Sequence, residues 1–218
     1  FKSVDGGKTW KKTLGDNKWV GATDIIQDYT NPDVLYTATW QRHRTVAGYM
    51  GGGPGSAIYK SIDLGNTWVK LKNGLPTSNM GKIGLGISFH NPEIIYAAIE
   101  LERRKGGIYR SENLGESWTK MSNTVSGGTG PHYYQELRPS PHVFDTIFLM
   151  NNYVLISEDG GRKIVNIPEN IGIRMMESGQ MLSFMPVPDL VIDSVVSGLP
   201  ASYAGLAKGD IISRVNGF

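Results

Sequence analysis

The chain has 218 residues, a net charge of +2, 28 glycines, 11 prolines and no cysteine. This length allows one large domain or two small ones, and the near-neutral charge gives no reason to expect nucleic acid or an anionic membrane as a partner. The lack of cysteine excludes disulfides, thiolate metal sites and a thiol nucleophile. No apolar run approaches the roughly 18 residues of a membrane-spanning helix.

A repeated turn motif, Ser-x-Asp-x-Gly-x-Thr-Trp, organises the first three quarters of the chain. Its Asp side chain can accept hydrogen bonds from nearby backbone N–H groups, and its Gly supplies a positive φ. A second element, Asn-Pro followed by an acidic residue and a β-branched run, comes about 28 residues after each turn. The turns are Ser3–Trp10, Ser61–Trp68, Ser111–Trp118 and a weaker Ser157–Ile164, and the second elements are Asn31–Tyr36, Asn91–Tyr96 and a weaker Ser140–Phe144.

The segments between these turns have the composition of short strands. Val34–Trp40 and Ile94–Ile99 are β-branched and aromatic runs, whereas Ala57–Lys60 and Gly107–Arg110 lead into the Asp turns. Such runs favour strands. About 50 residues and four short strands in each repeat are typical of a β-propeller blade, so we expect an all-β fold with three to four blades.

The Ser-x-Asp-x-Gly-x-Thr-Trp turns resemble Asp-box repeats, also called bacterial neuraminidase repeats. Propellers with such repeats include sialidases, xyloglucan-active glycosidases, sortilin-type luminal domains and photosystem assembly factors. The stretches Trp40–Thr45, Gly51–Ser56 and Tyr59–Asp63 are similar, more narrowly, to the bacterial exported sortilin-like group often labelled "glycosyl hydrolase". The resemblance covers roughly residues 1–165 and implies a structural role for the Asp-box residues Asp5, Asp63, Asn113 and Asp159.

The sequence pattern changes near Asn170. The window Ser197–Gly217, with Gly-x-Pro-Ala, Ala-Gly-Leu-x-x-Gly-Asp and Val-Asn-Gly, resembles a PDZ domain of the bacterial protease-associated kind, a small α+β barrel. The resemblance implies a strand at Val191–Val196, a short helix at Pro200–Leu206, and a loop at Ile171, Gly172 and Ile173 that binds the carboxylate of a peptide C-terminus. The alternative is an ordinary strand start used only for packing. We therefore divide the chain into blades over residues 1–168 and the first part of a PDZ domain over residues 169–218.

The first repeat carries about ten extra residues, and this insertion, Trp40 to Ser56, is the main candidate for a ligand-binding surface. Its candidate residues are Trp40, Arg42, His43, Arg44 and Tyr49, because aromatic and Arg side chains dominate binding hot spots. The alternative is that they only cover neighbouring blades. His132, Tyr133 and Tyr134, after a Gly-rich loop, form a second and weaker candidate.

Catalytic chemistry is not assigned by the sequence. A glycosidase needs two suitably spaced carboxylates, and the candidates Asp24, Asp28, Glu100, Glu102 and Glu136 lie in no motif tied to catalysis, so we expect solvated surface positions for them. The four histidines have no metal-ligand spacing, and we expect neither a metal nor a cofactor.

These observations favour an exported binding or scaffold protein, in the periplasm, at the cell surface or secreted. The propeller would recognise protein or glycan, and the PDZ module would bind peptide C-termini, with no nucleic acid partner and no membrane span. The alternative is a hydrolase, either a glycosidase acting through the propeller cleft or a protease whose catalytic domain follows Phe218. Since three blades and a fraction do not close a ring, we also expect the chain to be a fragment of a larger protein.

Overall fold

The computed structural model describes residues 1–15, 18–101, 105–123, 136–150, 154–166, 173–175, 190–195, 206–208 and 211–212. The chain divides into two compact units, Phe1–Ile164 and Val165–Phe218. The strands are β1 (Val20–Gln27), β2 (Leu35–Gln41), β3 (His43–Arg44), β4 (Tyr49–Met50), β5 (Ala57–Ser61), β6 (Val69–Lys70), β7 (Met80–Ile87), β8 (Ile95–Leu101), β9 (Lys105–Ser111), β10 (Thr119–Ser122), β11 (Glu136–Pro139), β12 (Ile147–Met150), β13 (Val154–Ser157), β14 (Val165–Asn166), β15 (Ile173–Met175), β16 (Leu190–Val195) and β17 (Ile211–Ile212).

Each sequence repeat forms one four-stranded antiparallel sheet, which is called a blade below. The first blade has the order β1-β2-β5-β6, the second β10-β9-β8-β7 and the third β11-β12-β13-β14. The predicted runs Val34–Trp40 and Ile94–Ile99 form β2 and β8, the second strand of the first and second blades. The all-β prediction is confirmed, and the described residues contain no helix.

The core lies between neighbouring blades, because the central strands bury both of their faces. Alternate side chains of a strand point to opposite faces of its sheet. In β8, Ile95, Ala97 and Ile99 accordingly join the cluster shared with the first blade. Tyr96 and Ala98 join the cluster shared with the third blade. This explains why β8 reads as a continuous apolar run instead of an alternating one.

The Asn-Pro elements and the Ser-x-Asp-x-Gly turns lie at the same end of the blades; Asp-box is used below only as a label for that sequence pattern. An Asn-Pro element connects the first strand of a blade to the second, and an Asp-box connects the third to the fourth. In an antiparallel sheet these two connections meet at one end. The connections from second to third strand, and from one blade to the next, therefore lie at the opposite end, which we call the loop end.

The third Asn-Pro element is displaced by three residues from its predicted position. The Val34 and Ile94 N–H groups donate to the carbonyls of Asn31 and Asn91 in the first two blades. The corresponding bond in the third blade runs from Thr146 to Val143. The prediction at Ser140–Phe144 was misaligned because Ser140-Pro141 imitates Asn-Pro. The Ser140 hydroxyl instead accepts from the N–H groups two and three residues later, as the Ser88 hydroxyl does in the second blade.

The second Asp-box shows how the motif is held together. The Ser61 hydroxyl donates to Asp63 Oδ1 at 2.7 Å and accepts from the Gly65 N–H at 2.8 Å. Asp63 also accepts from the Thr67 N–H at 2.8 Å and from the Thr67 hydroxyl at 2.6 Å. Leu64 precedes Gly65 with a φ of 57°, so two successive residues adopt the left-handed region. The turn is thus a closed network of local bonds.

Neighbouring blades are connected through these turns. The buried Tyr36 of β2 donates its hydroxyl to the Leu114 carbonyl of the next Asp-box at 2.8 Å, and the Lys60 ammonium donates to the same oxygen at 2.9 Å. Tyr96 occupies the equivalent position one blade later and donates to Asp145 Oδ1 at 2.5 Å. Tyr36 and Tyr96 therefore each bond to the next blade, Tyr36 to a backbone carbonyl and Tyr96 to a carboxylate.

The described part of the second unit contains a small antiparallel sheet with the order β15-β16-β17. Ile173 pairs with Val195 and Val191 pairs with Ile211. The strand predicted at Val191–Val196 corresponds to β16. Residues 200–205 of the predicted helix lie outside the described residues. Within the described ranges, no helix has the length and apolar character needed to cross a membrane.

Candidate functional site

The insertion of the first blade forms a short ribbon at the loop end. Strands β3 and β4 pair with each other, His43 opposite Met50 and Arg44 opposite Tyr49. After the ribbon the chain passes close to the second blade, where the Gly53 N–H donates to the Met80 carbonyl at 3.1 Å. A side chain at Gly53 would collide with Gln41, because a Cβ built on Gly53 would lie only 2.4 Å from Gln41 Oε1. The glycines thus allow the insertion to fold back on its own blade.

Arg42 is packed between two aromatic rings. Its guanidinium carbon lies 5.3 Å from the centre of the Trp40 ring and 5.8 Å from that of Tyr49. A cation in this position is attracted by the electron-rich ring faces. Trp40 is buried, with 7% exposure, and donates its indole N–H to the Gly51 carbonyl at 2.8 Å. Trp40 is therefore the buried part of the cluster, whereas Tyr49, 38% exposed, is part of its surface.

Trp19 extends this cluster, and sequence reasoning did not find it. Its ring centre is 3.6 Å from that of His43, with 34° between the ring planes, and the Lys18 ammonium lies 4.6 Å from its centre. The Trp19 carbonyl accepts from the Arg42 N–H at 2.8 Å, which fixes the segment before β1 against the end of β2. Trp19 is 44% exposed, so part of its side chain is accessible to solvent.

The structure brings four of the five predicted insertion residues into one cluster with Trp19. Arg44 is the exception, because its side chain is exposed and only its backbone pairs with Tyr49 in the ribbon. The weaker candidate, His132 to Tyr134, lies outside the described residues. So do Ile171 and Gly172, while Ile173 begins β15.

Two of the candidate carboxylates are buried, which corrects the expectation of solvated positions. Asp28 is 4% exposed because its Oδ1 accepts from the Thr30 N–H and hydroxyl, at 2.8 and 2.7 Å, and shapes the turn after β1. Glu100 of β8 is 1% exposed. Burial of an acidic side chain requires polar partners or loss of its charge. Because such partners are set by the fold, composition and spacing alone could not predict that these residues are buried.

The other described candidates connect blades. Asp24 Oδ2 accepts from the Leu85 N–H at 2.7 Å, joining β1 to β7. Glu136 accepts from the Lys82 ammonium at 2.8 Å, joining β11 to β7. These contacts give both carboxylates a packing role. Glu102 lies outside the described residues.

The Asp-box residues lie in local hydrogen-bond networks within their turns. Hydrogen bonds from the hydroxyl and N–H of Thr67, and from the Ser61 hydroxyl, lower the pKa of Asp63 to about 2. Asp5 has the same arrangement and its pKa is also lowered to about 2, mainly by the Thr9 hydroxyl. Such carboxylates remain ionised and cannot supply a proton near neutral pH.

Metal binding finds no support in the described ranges. No group of three or more His, Asp or Glu side chains lies there in an arrangement that could hold a metal ion. Of the histidines, His43 stacks on Trp19, and His90 makes an edge contact with Phe144 at 6.0 Å between ring centres.

Comparison with solved structures supports the architecture. The chain is similar to a GH74 xyloglucanase from Xanthomonas campestris, with a TM-score of 0.55 and 14% identity over 73% of this chain and 24% of that one. The first unit is part of a β-propeller. The chain is also similar to a GH74 enzyme from Niastella koreensis (TM-score 0.49, 22% identity, 71% of this chain and 24% of that one) and to YCF48 bound to D1 peptide (0.42, 12%, 70% and 44%).

With TM-scores below 0.5, the last two likenesses are too weak to add to this, and identities under 25% extend to the fold alone. The chain spans about a quarter of the length of the GH74 enzymes. No protein-family model matches the chain. No curated protein matches it either.

Proposed function

We propose that the chain is part of an exported binding protein whose propeller recognises protein or glycan through the loop end of the first blade. The observation that carries this proposal is the cluster of Trp19, Trp40, Arg42, His43 and Tyr49, which combines two partly exposed aromatic side chains, Trp19 and Tyr49, with a guanidinium close to two rings. Rigid aromatic side chains supply contact area at a low cost in conformational entropy, and an Arg held by neighbouring rings adds a cation; both types are enriched in binding hot spots.

Three of the candidate carboxylates have packing roles, which favours binding over hydrolysis. Glycoside hydrolysis requires an acid and a second carboxylate that both face the substrate. Asp24, Asp28 and Glu136 instead hold backbone N–H groups or an ammonium group that connect strands or shape a turn. A glycosidase, or a protease domain elsewhere in a longer chain, is therefore the second candidate.

For the second unit we propose a PDZ-like module that binds peptide C-termini. This part of the proposal rests on the sequence pattern of Ser197–Gly217 and on the Gly172 loop, where a residue without a Cβ would let the backbone N–H groups approach a carboxylate. Substitution of Gly172 by Glu is the matching variant, because a carboxylate there would repel the peptide carboxylate.

The proposal is tested by titration calorimetry of the 218-residue protein with a xyloglucan oligosaccharide and with decapeptides that carry free or amidated C-termini. Trp19→Ala and Tyr49→Ala should each weaken binding of the oligosaccharide or the amidated peptides at least 30-fold, about 2 kcal/mol, as hot-spot truncations do. Phe89→Ala is the matched control, since Phe89 is an exposed aromatic residue at the Asp-box end.

The outcomes separate the alternatives. Equal binding by the wild type and both loop-end variants would contradict the proposed surface. Binding that depends on a free C-terminus and is lost in Gly172→Glu would assign that ligand to the second unit. Release of new reducing ends from the oligosaccharide would favour the hydrolase instead.

A further inference from the structure

A basic cleft lies between the Asp-boxes of the second and third blades. Its volume is about 670 Å3, and the charged groups that line it include Arg110, Lys120 and Arg162. Clefts of this size accommodate small-molecule ligands. The cleft is at the Asp-box end of the blades and is thus separate from the loop-end cluster proposed above.

Arg110 forms a fixed wall of this cleft. Its side chain is only 8% exposed and its guanidinium donates to Glu112 and, through Nη2, to the Asp145 carboxylate at 3.1 Å. These two carboxylates more than offset its single positive charge, so Arg110 shapes the cleft and adds no net positive charge to it. Lys120 and Arg162 are exposed and add two positive charges to the lining, which contains a single carboxylate, that of Glu112.

Of the two Asp-boxes beside this cleft, that of the second blade has an amide in place of the Asp carboxylate. The other three boxes have Asp5, Asp63 and Asp159, whereas this box has Asn113, whose Oδ1 accepts from the Ser117 N–H at 2.9 Å. Its Nδ2 donates to the Ser117 hydroxyl at 2.8 Å, so the turn keeps its hydrogen bonds. Since Asp and Asn both close the turn, the visible difference is electrostatic: a negative charge is absent from the cleft wall.

We propose that this cleft binds a small ligand carrying an oxyanion, either a carboxylate or a phosphate. Guanidinium groups donate in a planar fork that suits both anions, and an ammonium group adds a point charge. Ser117 and Thr119 line the same cleft and bring hydroxyl groups for the neutral part of a sugar-sized ligand. The positive groups of the cleft therefore attract an acidic ligand. A carboxylate at position 113 would weaken this attraction.

The test uses titration calorimetry of the 218-residue protein at low ionic strength with inorganic phosphate, glucuronate and glucose. Glucuronate and glucose share a ring and differ by the carboxylate, so glucuronate or phosphate should bind and glucose should not. The tighter of the two anions identifies the preferred group. Binding should weaken as salt is added, because exposed charges are screened.

Asn113→Asp is the decisive variant, because the other boxes show that Asp is compatible with the turn. It should weaken anion binding about tenfold, and Lys120→Gln and Arg162→Gln should do so to a similar extent. Lys72→Gln, an exposed lysine of the first blade, is the matched control and should bind as the wild type does. Urea unfolding of each variant shows that the protein remains folded.

Three results would overturn the proposal. They are no binding of either anion at low salt, glucose binding as tight as that of glucuronate, and unchanged anion affinity in folded Asn113→Asp and Lys120→Gln. The proposed loop-end function is unaffected by any of these, because Trp19→Ala and Tyr49→Ala report on it separately.

Discussion

Gly74 should be one of the least replaceable residues of the first unit. It lies between the first and second blades with a φ of +77°, and a Cβ built there would be 1.9 Å from the Trp118 carbonyl oxygen. Ordinary contact begins at 3.4 Å, so Gly74→Ala requires a displacement of about 1.5 Å. Such a shift would break the bond from the Trp118 N–H to the Asn73 carbonyl, now 3.0 Å long.

The expected cost of Gly74→Ala is the sum of three effects. The left-handed φ costs roughly 1–2 kcal/mol, of which about 0.4–1 kcal/mol is offset by the reduced entropy of the unfolded chain. The lost hydrogen bond adds about 1 kcal/mol. Overpacking against the nearly buried Trp118 adds about 1–3 kcal/mol. We therefore expect the free energy of unfolding to fall by about 2–5.5 kcal/mol.

Urea unfolding followed by tryptophan fluorescence measures this loss. Gly15→Ala is the matched control, because Gly15 has a φ of +86° but its nearest neighbour atom would be 3.8 Å from the new Cβ. The control bears only the conformational cost, about 1 kcal/mol. If the two variants are destabilised equally, the close approach to Trp118 does not limit this position and the reasoning fails.

Two further predictions concern hydroxyl and carboxyl groups. Tyr96→Phe should cost about 1.5–3 kcal/mol of unfolding free energy, because the Tyr96 hydroxyl donates to the Asp145 carboxylate. Tyr36→Phe should cost only about 1 kcal/mol, because the Tyr36 hydroxyl donates to a neutral carbonyl. Thermal and urea unfolding of both variants check this order. The pKa of about 2 at Asp5 and Asp63, against 3.8 normally, means that their contribution to stability is complete above about pH 4 and is lost as the pH falls to about 2. Acid unfolding should therefore become less steep in this interval in Asp63→Asn, and an unchanged profile would show that the carboxylate is not responsible.

The blades could be predicted because their determinants are local. An Asp-box closes within eight residues, and its Ser, Asp and Gly each have a bond or φ that few other residues supply. The left-handed φ of Leu64 was beyond prediction, since leucine has no preference for it and the surrounding turn imposes it. The misplaced third Asn-Pro element shows the same limit, because Ser140-Pro141 satisfies the local pattern while the backbone closes the turn at Thr146.

The loop-end cluster was only partly accessible from sequence. Trp40, Arg42 and Tyr49 are close in the chain and could be grouped by composition. Trp19 joins them through the pairing of β1 with β2, in which Val20 lies opposite Gln41. Such a contact depends on register, which the composition of Lys18 and Trp19 does not reveal. The basic cleft was missed for the same reason, since Arg110 and Arg162 belong to different blades.

The tyrosine contacts between blades have a consequence for how the first unit unfolds. Because Tyr36 and Lys60 of one blade bond to a turn of the next, and Tyr96 and Arg110 repeat the arrangement, part of each blade's stability belongs to its neighbour. Such arrays behave like a one-dimensional lattice with nearest-neighbour coupling. A lesion at Asp145 should consequently weaken the second and third blades together and leave the first comparatively protected, a gradient that amide hydrogen exchange would record blade by blade.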